Sequence, residues 1–213
     1  MNKKLDKKVT LITGSNRGLG LATLKLFSQN GSDIIACSRK KNDLFEDEIN
    51  AISKKYKNKI VPIYFDLSNE SEIKDAFEKI KKNYSNIDIL INNAGINQIS
   101  LFQMTKLSDI KMIFETNFFS VLSLTQKVLK ILKKNNYSKI INISSNAATE
   151  CDQGRAAYAS SKSALLSFTK VLSKELGPYK ICVNAVAPGL VNTDMIKSGL
   201  SEKVLEEAIK KHH

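Results

Sequence analysis

The sequence has no tryptophan, three prolines, three cysteines and two histidines, His212 and His213, side by side at its end. Each scarcity removes a class of protein. Two terminal histidines with no neighbour at ligand spacing argue against a metal centre. Cys37, Cys151 and Cys182 are odd in number and far apart, which excludes a disulfide framework and predicts free thiols in a reducing, cytoplasmic setting. No apolar run reaches the roughly 18 residues that a membrane helix needs. "MNKKLDKKVT" has no apolar core of the kind a secretory signal carries, so a soluble protein is expected. Acidic residues are also short: 21 Asp and Glu stand against 33 Lys and Arg, a formal net charge of +12. That excess would suit nucleic acid, an acidic carrier protein or a phosphorylated cofactor. The lysines are scattered, however, in "KKLDKK", "SKKYKNK" and "EKIKK", without interleaved aromatics. This reads as a solvated surface rather than a nucleic-acid interface. Repeats, low-complexity tracts and Pro/Gly linkers are lacking too, so residues 1–213 are expected to form one domain.

What is present is alternation. Short apolar runs, Val9–Ile12, Asp33–Cys37, Ile60–Phe65, Ile87–Ile91, Lys139–Ile143 and Ile181–Val186, are nearly continuous rather than every second residue. Parallel strands covered on both faces read this way. Between them lie helical stretches: one from Gly18 to Asn30–Gly31, one carrying Val121, Leu124, Val128, Leu129 and Leu132, and one ending at Gly177–Pro178. Repeated strand–helix–strand units predict an α/β fold, a doubly wound parallel sheet of Rossmann type. Pro62 lacks a ladder N–H and belongs on an edge, where the order 3-2-1-4-5-6 places the third strand.

The first strand runs into "TGSNRGLG", Thr13 to Gly20, and then a helix. Gly14 permits the tight turn, while Gly18 and Gly20 allow close approach of a pyrophosphate to the helix N–H groups. The second strand ends "ACSRKK", with Ser38, Arg39 and Lys40 where an acid would hold the ribose of NAD. Arg17 adds a further cation. Guanidinium groups pair with phosphate, which predicts NADP(H). The plainer alternative is that these are ordinary surface cations.

The pattern Thr-Gly-x-x-x-Gly-x-Gly resembles the cofactor turn of the short-chain dehydrogenase/reductase family. "NNAG" (Asn92–Gly95), "YASSK" (Tyr158–Lys162) and "PGLVNTDM" from Pro188 are similar to that family's further motifs, in the same order. Within the family the chain looks most like 3-oxoacyl-acyl-carrier-protein reductases. The resemblance implies cofactor contacts from Gly14, Ser15, Asn16, Arg17, Gly18, Leu19, Gly20, Ser38 and Arg39. It implies others from Asp66, Leu67, Asn93, Ala94 and Gly95, from Tyr158 and Lys162, and from Pro188, Gly189, Val191 and Thr193. Asp66 would meet the adenine; its structural alternative is a cap for the helix starting near Ser68.

Reduction of a ketone needs a group that protonates the developing alkoxide. Tyr158 and Lys162, four apart on one helix face, would be that acid and the cation that favours its phenolate. Ser145, at the end of strand five, would orient the substrate oxygen. Ser144 beside it is read as structural. By resemblance Lys162 also holds the nicotinamide ribose, and Asn117 supports a water-mediated proton path to Lys162. The alternative for Asn117 is a helix-internal polar group satisfying backbone. Asp88 is expected to tie down a neighbouring backbone segment.

These readings imply an NADPH-dependent carbonyl reductase acting on a small-molecule ketone or a carrier-bound acyl group. The alternatives are another small-molecule or nucleotide-sugar dehydrogenase, or an NADP-binding protein without turnover. By resemblance a homodimer or homotetramer is expected, with no nucleic acid, membrane or metal. Family members of this kind commonly add another helix and a seventh strand, which are not evident before "EEAIKKHH".

Overall fold

The computed structural model describes residues 3–132, 134 and 137–191. Six strands, β1 (Val9–Thr13), β2 (Asp33–Ser38), β3 (Ile60–Tyr64), β4 (Ile89–Asn92), β5 (Ser138–Ile143) and β6 (Ile181–Val186), form one parallel sheet. Their order is β3-β2-β1-β4-β5-β6, as the alternation of segments predicts. Pro62 lies opposite Ala36 on the edge strand β3. Its missing N–H therefore faces away from the ladder.

Alternate strand residues feed two cores, one on each face. Ile12, Ile34, Ala36, Ile89 and Ile91 pack with Leu24 of α1 (Gly18–Gln29) and with Phe45 and Ile49 of α2 (Asp43–Tyr56). Leu11, Ile35, Leu90 and Ile140 meet Ile73 and Phe77 of α3 (Glu70–Asn83). On that face they also join Leu124 and Val128 of α5 (Ser120–Leu132) and Leu172 of α7 (Ala156–Leu176). Burial on both faces is why the strands read as continuous apolar runs. Local signals set the helix ends. Asn42 caps α2 by accepting from the Phe45 N–H, and Asn69 caps α3 by accepting from Ser71 and Glu72.

Some boundaries differ from the sequence reading. The apolar run at Ile87–Ile91 becomes a strand only from Ile89; just before it, the Asp88 carboxylate accepts from the Val9 N–H, Lys8 Nζ and Asn86 Nδ2, while its backbone bonds Val9 and Lys139. The helix stop at Gly177–Pro178 is where the sequence places it, α7 ending at Leu176, and a short 3₁₀ turn, Gly177–Tyr179, follows before β6. The helix before β5 is compound. α4 (Leu107–Phe114) passes through a π turn, Glu115–Phe119, into α5. A single extra residue in a turn re-aims the side chains around it, and the residue inside this one is Asn117.

Two strand asparagines tie the layers together. Asn92 of β4 donates to Asn142 Oδ1 of β5 at 2.8 Å, and Asn142 donates to Thr169 Oγ1 of α7, also at 2.8 Å. All three are buried.

Candidate active site

The central strands β1 and β4 carry their connections to opposite sides, so a crevice opens beyond their carboxyl ends. A cavity of about 1140 Å³ occupies it. One end is lined by Arg17, Ser38, Arg39 and Lys40, the other by Ser145, Tyr158 and Lys162.

The glycine turn forms the floor. Gly14 and Gly18 have φ of +64° and +54°, which an L side chain rarely adopts. A Cβ on Gly20 would fall 2.0 Å from the Gly14 carbonyl oxygen, so only glycine lets α1 start this close to β1. Asn16, Arg17, Gly18 and Leu19 line the cavity, and the first N–H groups of α1 have no carbonyl four residues back to bond. Ser15 does not line it: its N–H and its hydroxyl both donate to the Cys37 carbonyl, anchoring the turn to β2.

The NNAG segment is locked to this turn by bonds that sequence reasoning did not assign. Thr13 Oγ1 accepts from the N–H groups of Asn93 and Ala94, each at 3.0 Å. The Asn93 amide donates back to the carbonyls of Thr13 and Gly14. Gly95 lines the cavity, and a Cβ there would meet Asn117 Oδ1 at 3.1 Å and Lys162 Nζ at 3.3 Å. Asp66 and Leu67 line the opposite side. Asp66 does not cap α3, whose cap is Asn69; it accepts instead from the Ser68 N–H and hydroxyl. Partial burial pushes its carboxyl up, but those bonds and the charges of Arg39 and Lys40 outweigh this and hold it below the usual value.

Tyr158 and Lys162 sit on the buried face of α7, with Lys162 Nζ 5.9 Å from the Tyr158 ring centroid. Lys162 is 4% exposed and donates to the Ile143 carbonyl at 2.8 Å. Burial brings its ammonium down to about 8. Ser144 is structural, its hydroxyl donating to the Lys162 carbonyl. Ser145 Oγ accepts from the Ala147 N–H at 3.2 Å and donates to Asn146 Oδ1 at 3.3 Å.

Asn117 is fully buried and does not line the cavity. Its Oδ1 accepts from the Ile96 N–H at 2.8 Å, and its Nδ2 donates to the Ile96 carbonyl and to Ser161 Oγ. The side chain clamps backbone and is one step removed from Lys162. Pro188, Gly189 and Val191 close the cavity beyond β6. The Asn146 N–H donates to the Pro188 carbonyl. Thr193, His212 and His213 lie outside the described residues.

The cavity is also lined by Ile96, Ile99, Met112, Asn146, Glu150 and Arg155. The groups of α6 (Ala147–Glu150) gather there because this single turn packs onto α7. Among the described residues no helix is long and apolar enough to cross a membrane, and no group of three His, Cys, Asp or Glu could hold a metal ion.

Comparison with known proteins agrees with this architecture. Residues 8–203 match the family described as short chain dehydrogenase. The 3-oxoacyl-acyl-carrier-protein reductase FabG of Thermotoga maritima is 35% identical, over 97% of this chain and 82% of its own. FabG of Aquifex aeolicus is 37% identical over 97% and 83%. Among solved structures, L-sorbose reductase from Gluconobacter frateurii, complexed with NADPH and L-sorbose, superimposes with a TM-score of 0.87 at 25% identity. That match covers 93% of this chain and 75% of the reductase. Likeness in sequence and likeness in fold extend over the same, nearly complete length, and the chain belongs to the short chain dehydrogenase family.

Proposed function

We propose that this oxidoreductase is an NADPH-dependent carbonyl reductase, converting a ketone to a secondary alcohol. The observation that carries the reading is the placement of the cations Arg17, Arg39 and Lys40 at one end of a single cavity and Ser145, Tyr158 and Lys162 at the other. None of those three cations forms an ion pair with a described residue, which suits a phosphate on the adenosine ribose. The glycine floor, at which a Cβ on Gly20 finds no room, fits an extended dinucleotide. When bound, the nicotinamide supplies the hydride.

The chain's own groups handle the oxygen. The Ser145 hydroxyl donates a hydrogen bond to the carbonyl oxygen and orients it. Tyr158 gives its phenolic proton to that oxygen as it becomes an alkoxide. Lys162, charged below about 8, stabilises the phenolate left behind and would hold the nicotinamide ribose. Asn117 keeps Ile96, and with it the Gly95 approach to Lys162, in place.

Two substrate readings stand. The FabG relatives act, by name, on 3-oxoacyl groups of an acyl carrier protein, and a net charge of +12 would suit an acidic carrier. The polar wall of Asn146, Glu150, Asp152, Gln153 and Arg155 favours a hydroxylated small molecule or a nucleotide sugar instead. As in the family's usual assemblies, we propose a homo-oligomer. The test is NADPH oxidation with acetoacetyl thioesters, hydroxy ketones and nucleotide keto sugars, alongside NADPH and NADH affinities. Arg39→Ala is expected to weaken NADPH roughly tenfold with little change for NADH, the loss of one charge-assisted pair. Tight NADPH binding without turnover of any carbonyl would make this a binding protein rather than an enzyme.

A further inference from the structure

Beside Ser145 runs a chain of three hydrogen-bonding groups. Asn146 Nδ2 donates to Glu150 Oε2 at 2.6 Å, and Asn146 Oδ1 accepts from the Ser145 hydroxyl. The direction of this chain is not free. A carboxylate only accepts, so Glu150 forces the amide to turn its NH₂ outward and its oxygen toward Ser145. The backbone strengthens the arrangement: the Asn146 N–H is held by the Pro188 carbonyl, and Nδ2 lies 3.7 Å from where a Cβ of Gly189 would be.

Ser145 has one hydrogen to give, and the Ala147 N–H takes one of its two lone pairs. When that hydrogen turns to a substrate carbonyl, Asn146 Oδ1 loses the donor it had. We infer that the Asn146–Glu150 pair selects substrates bearing a hydroxyl on the carbon next to the reacting carbonyl, that is, α-hydroxy ketones. Such a hydroxyl sits about one hydrogen-bond length, ~2.8 Å, from the carbonyl oxygen, comparable with the 3.3 Å between Ser145 Oγ and Asn146 Oδ1. It hands Oδ1 a replacement hydrogen while Ser145 serves the carbonyl. A 3-oxoacyl thioester brings a second carbonyl to the same region, an acceptor facing an acceptor backed by a carboxylate. A plain ketone brings nothing. Site polarity discriminates most strongly against the analogue that leaves a polar group unpaired.

This inference rests on the carbonyl-reductase reading, and its test separates the two. Hydroxyacetone and butan-2-one are near-isosteres, differing by a hydroxyl in place of a methyl. The kcat/KM ratio of the pair with NADPH is measured in the wild type, Asn146→Ala and the exposed Glu150→Gln, with acetoacetyl thioester as a third substrate. The ratio cancels any general damage to Ser145. Asn146→Ala is expected to lower the hydroxyacetone preference roughly three- to tenfold, the worth of one neutral hydrogen bond. Glu150→Gln, which frees the amide to flip, is expected to lower it by less. An unchanged ratio in both variants, or a wild type that prefers the acetoacetyl thioester, overturns the inference and leaves the reductase reading standing. Absence of turnover with every carbonyl overturns both.

Discussion

Replacing Lys162 with methionine should remove activity and make the cofactor-free protein more stable. The wild-type ammonium is buried and falls from its ordinary 10.5 to about 8. At about 1.36 kcal/mol per pKa unit, that interval corresponds to a burial cost of about 3 kcal/mol for the charged form. Methionine keeps the length and apolar stem without the charge. Against the gain stand the Ile143 carbonyl left without its donor, about 1 kcal/mol, and the cation over the Tyr158 ring, about 0.5 kcal/mol. The balance is ~1.5 kcal/mol in favour of Lys162→Met, or about 3–6 °C in Tm for a protein of this size. The pH dependence fixes the cause. Because the folded value lies below the unfolded one, the cost is fully present below pH 8. It is relieved as pH rises from about 8 to 10.5, where the unfolded chain holds more protons. The stability difference between variant and wild type should therefore be largest at pH 7 and fade by pH 10.5. Urea unfolding of both proteins across that range measures it. A variant that melts below the wild type at pH 7 would refute the reasoning.

Other perturbations follow from the same geometry. Gly95→Ala places a methyl 3.1 Å from Asn117 Oδ1 and 3.3 Å from Lys162 Nζ; it should cut kcat roughly ten- to a hundredfold while circular dichroism stays native. Tyr158→Phe keeps the ring packing but removes the proton donor, and single-turnover NADPH oxidation should slow by about 10²–10⁴. Asp88→Ala strands the Val9 N–H and breaks contacts with Lys8 and Asn86. A loss of about 2–3 kcal/mol in denaturant unfolding is expected, with the Michaelis constants of surviving enzyme unmoved.

The strand order was legible because burial on both faces leaves continuous apolar runs, and because Pro62 marks an edge whatever else surrounds it. Glycine positions were legible for a related reason: Gly14 and Gly20 are demanded by backbone geometry, which sequence spacing reports directly. The partner of Asn117, read only as backbone in general, and the task of Asn146 were not. What Asn117 bonds depends on a π turn that brings its amide under Ile96, twenty-one residues earlier in the chain. What Asn146 does depends on one helical turn placing Glu150 over it, next to the segment after β6. The bonds of Ser15 to the Cys37 carbonyl were equally hidden, because they depend on β2 lying beside the glycine turn. Lys162 carried its position in the sequence but not its burial, which comes from β5 and α7 closing around the stem.

The asparagine pair between β4 and β5 has a bearing on how the sheet assembles. Both strands are rich in isoleucine, and a parallel strand displaced by two residues keeps every side chain on its proper face. Hydrophobic pattern alone would accept that displacement. In the native pairing Asn92 stands opposite Asn142. A two-residue shift would set Asn92 against Ile140 and Asn142 against Ala94, or Asn142 against Leu90 and Asn92 against Ser144, with a cost of about 1–3 kcal/mol for each amide left unsatisfied. The pair thus acts as an alignment key, rejecting mispaired sheets that greasy strands of this composition would otherwise tolerate. The same alignment carries Ser145, two residues beyond β5, to the cavity that Tyr158 also lines.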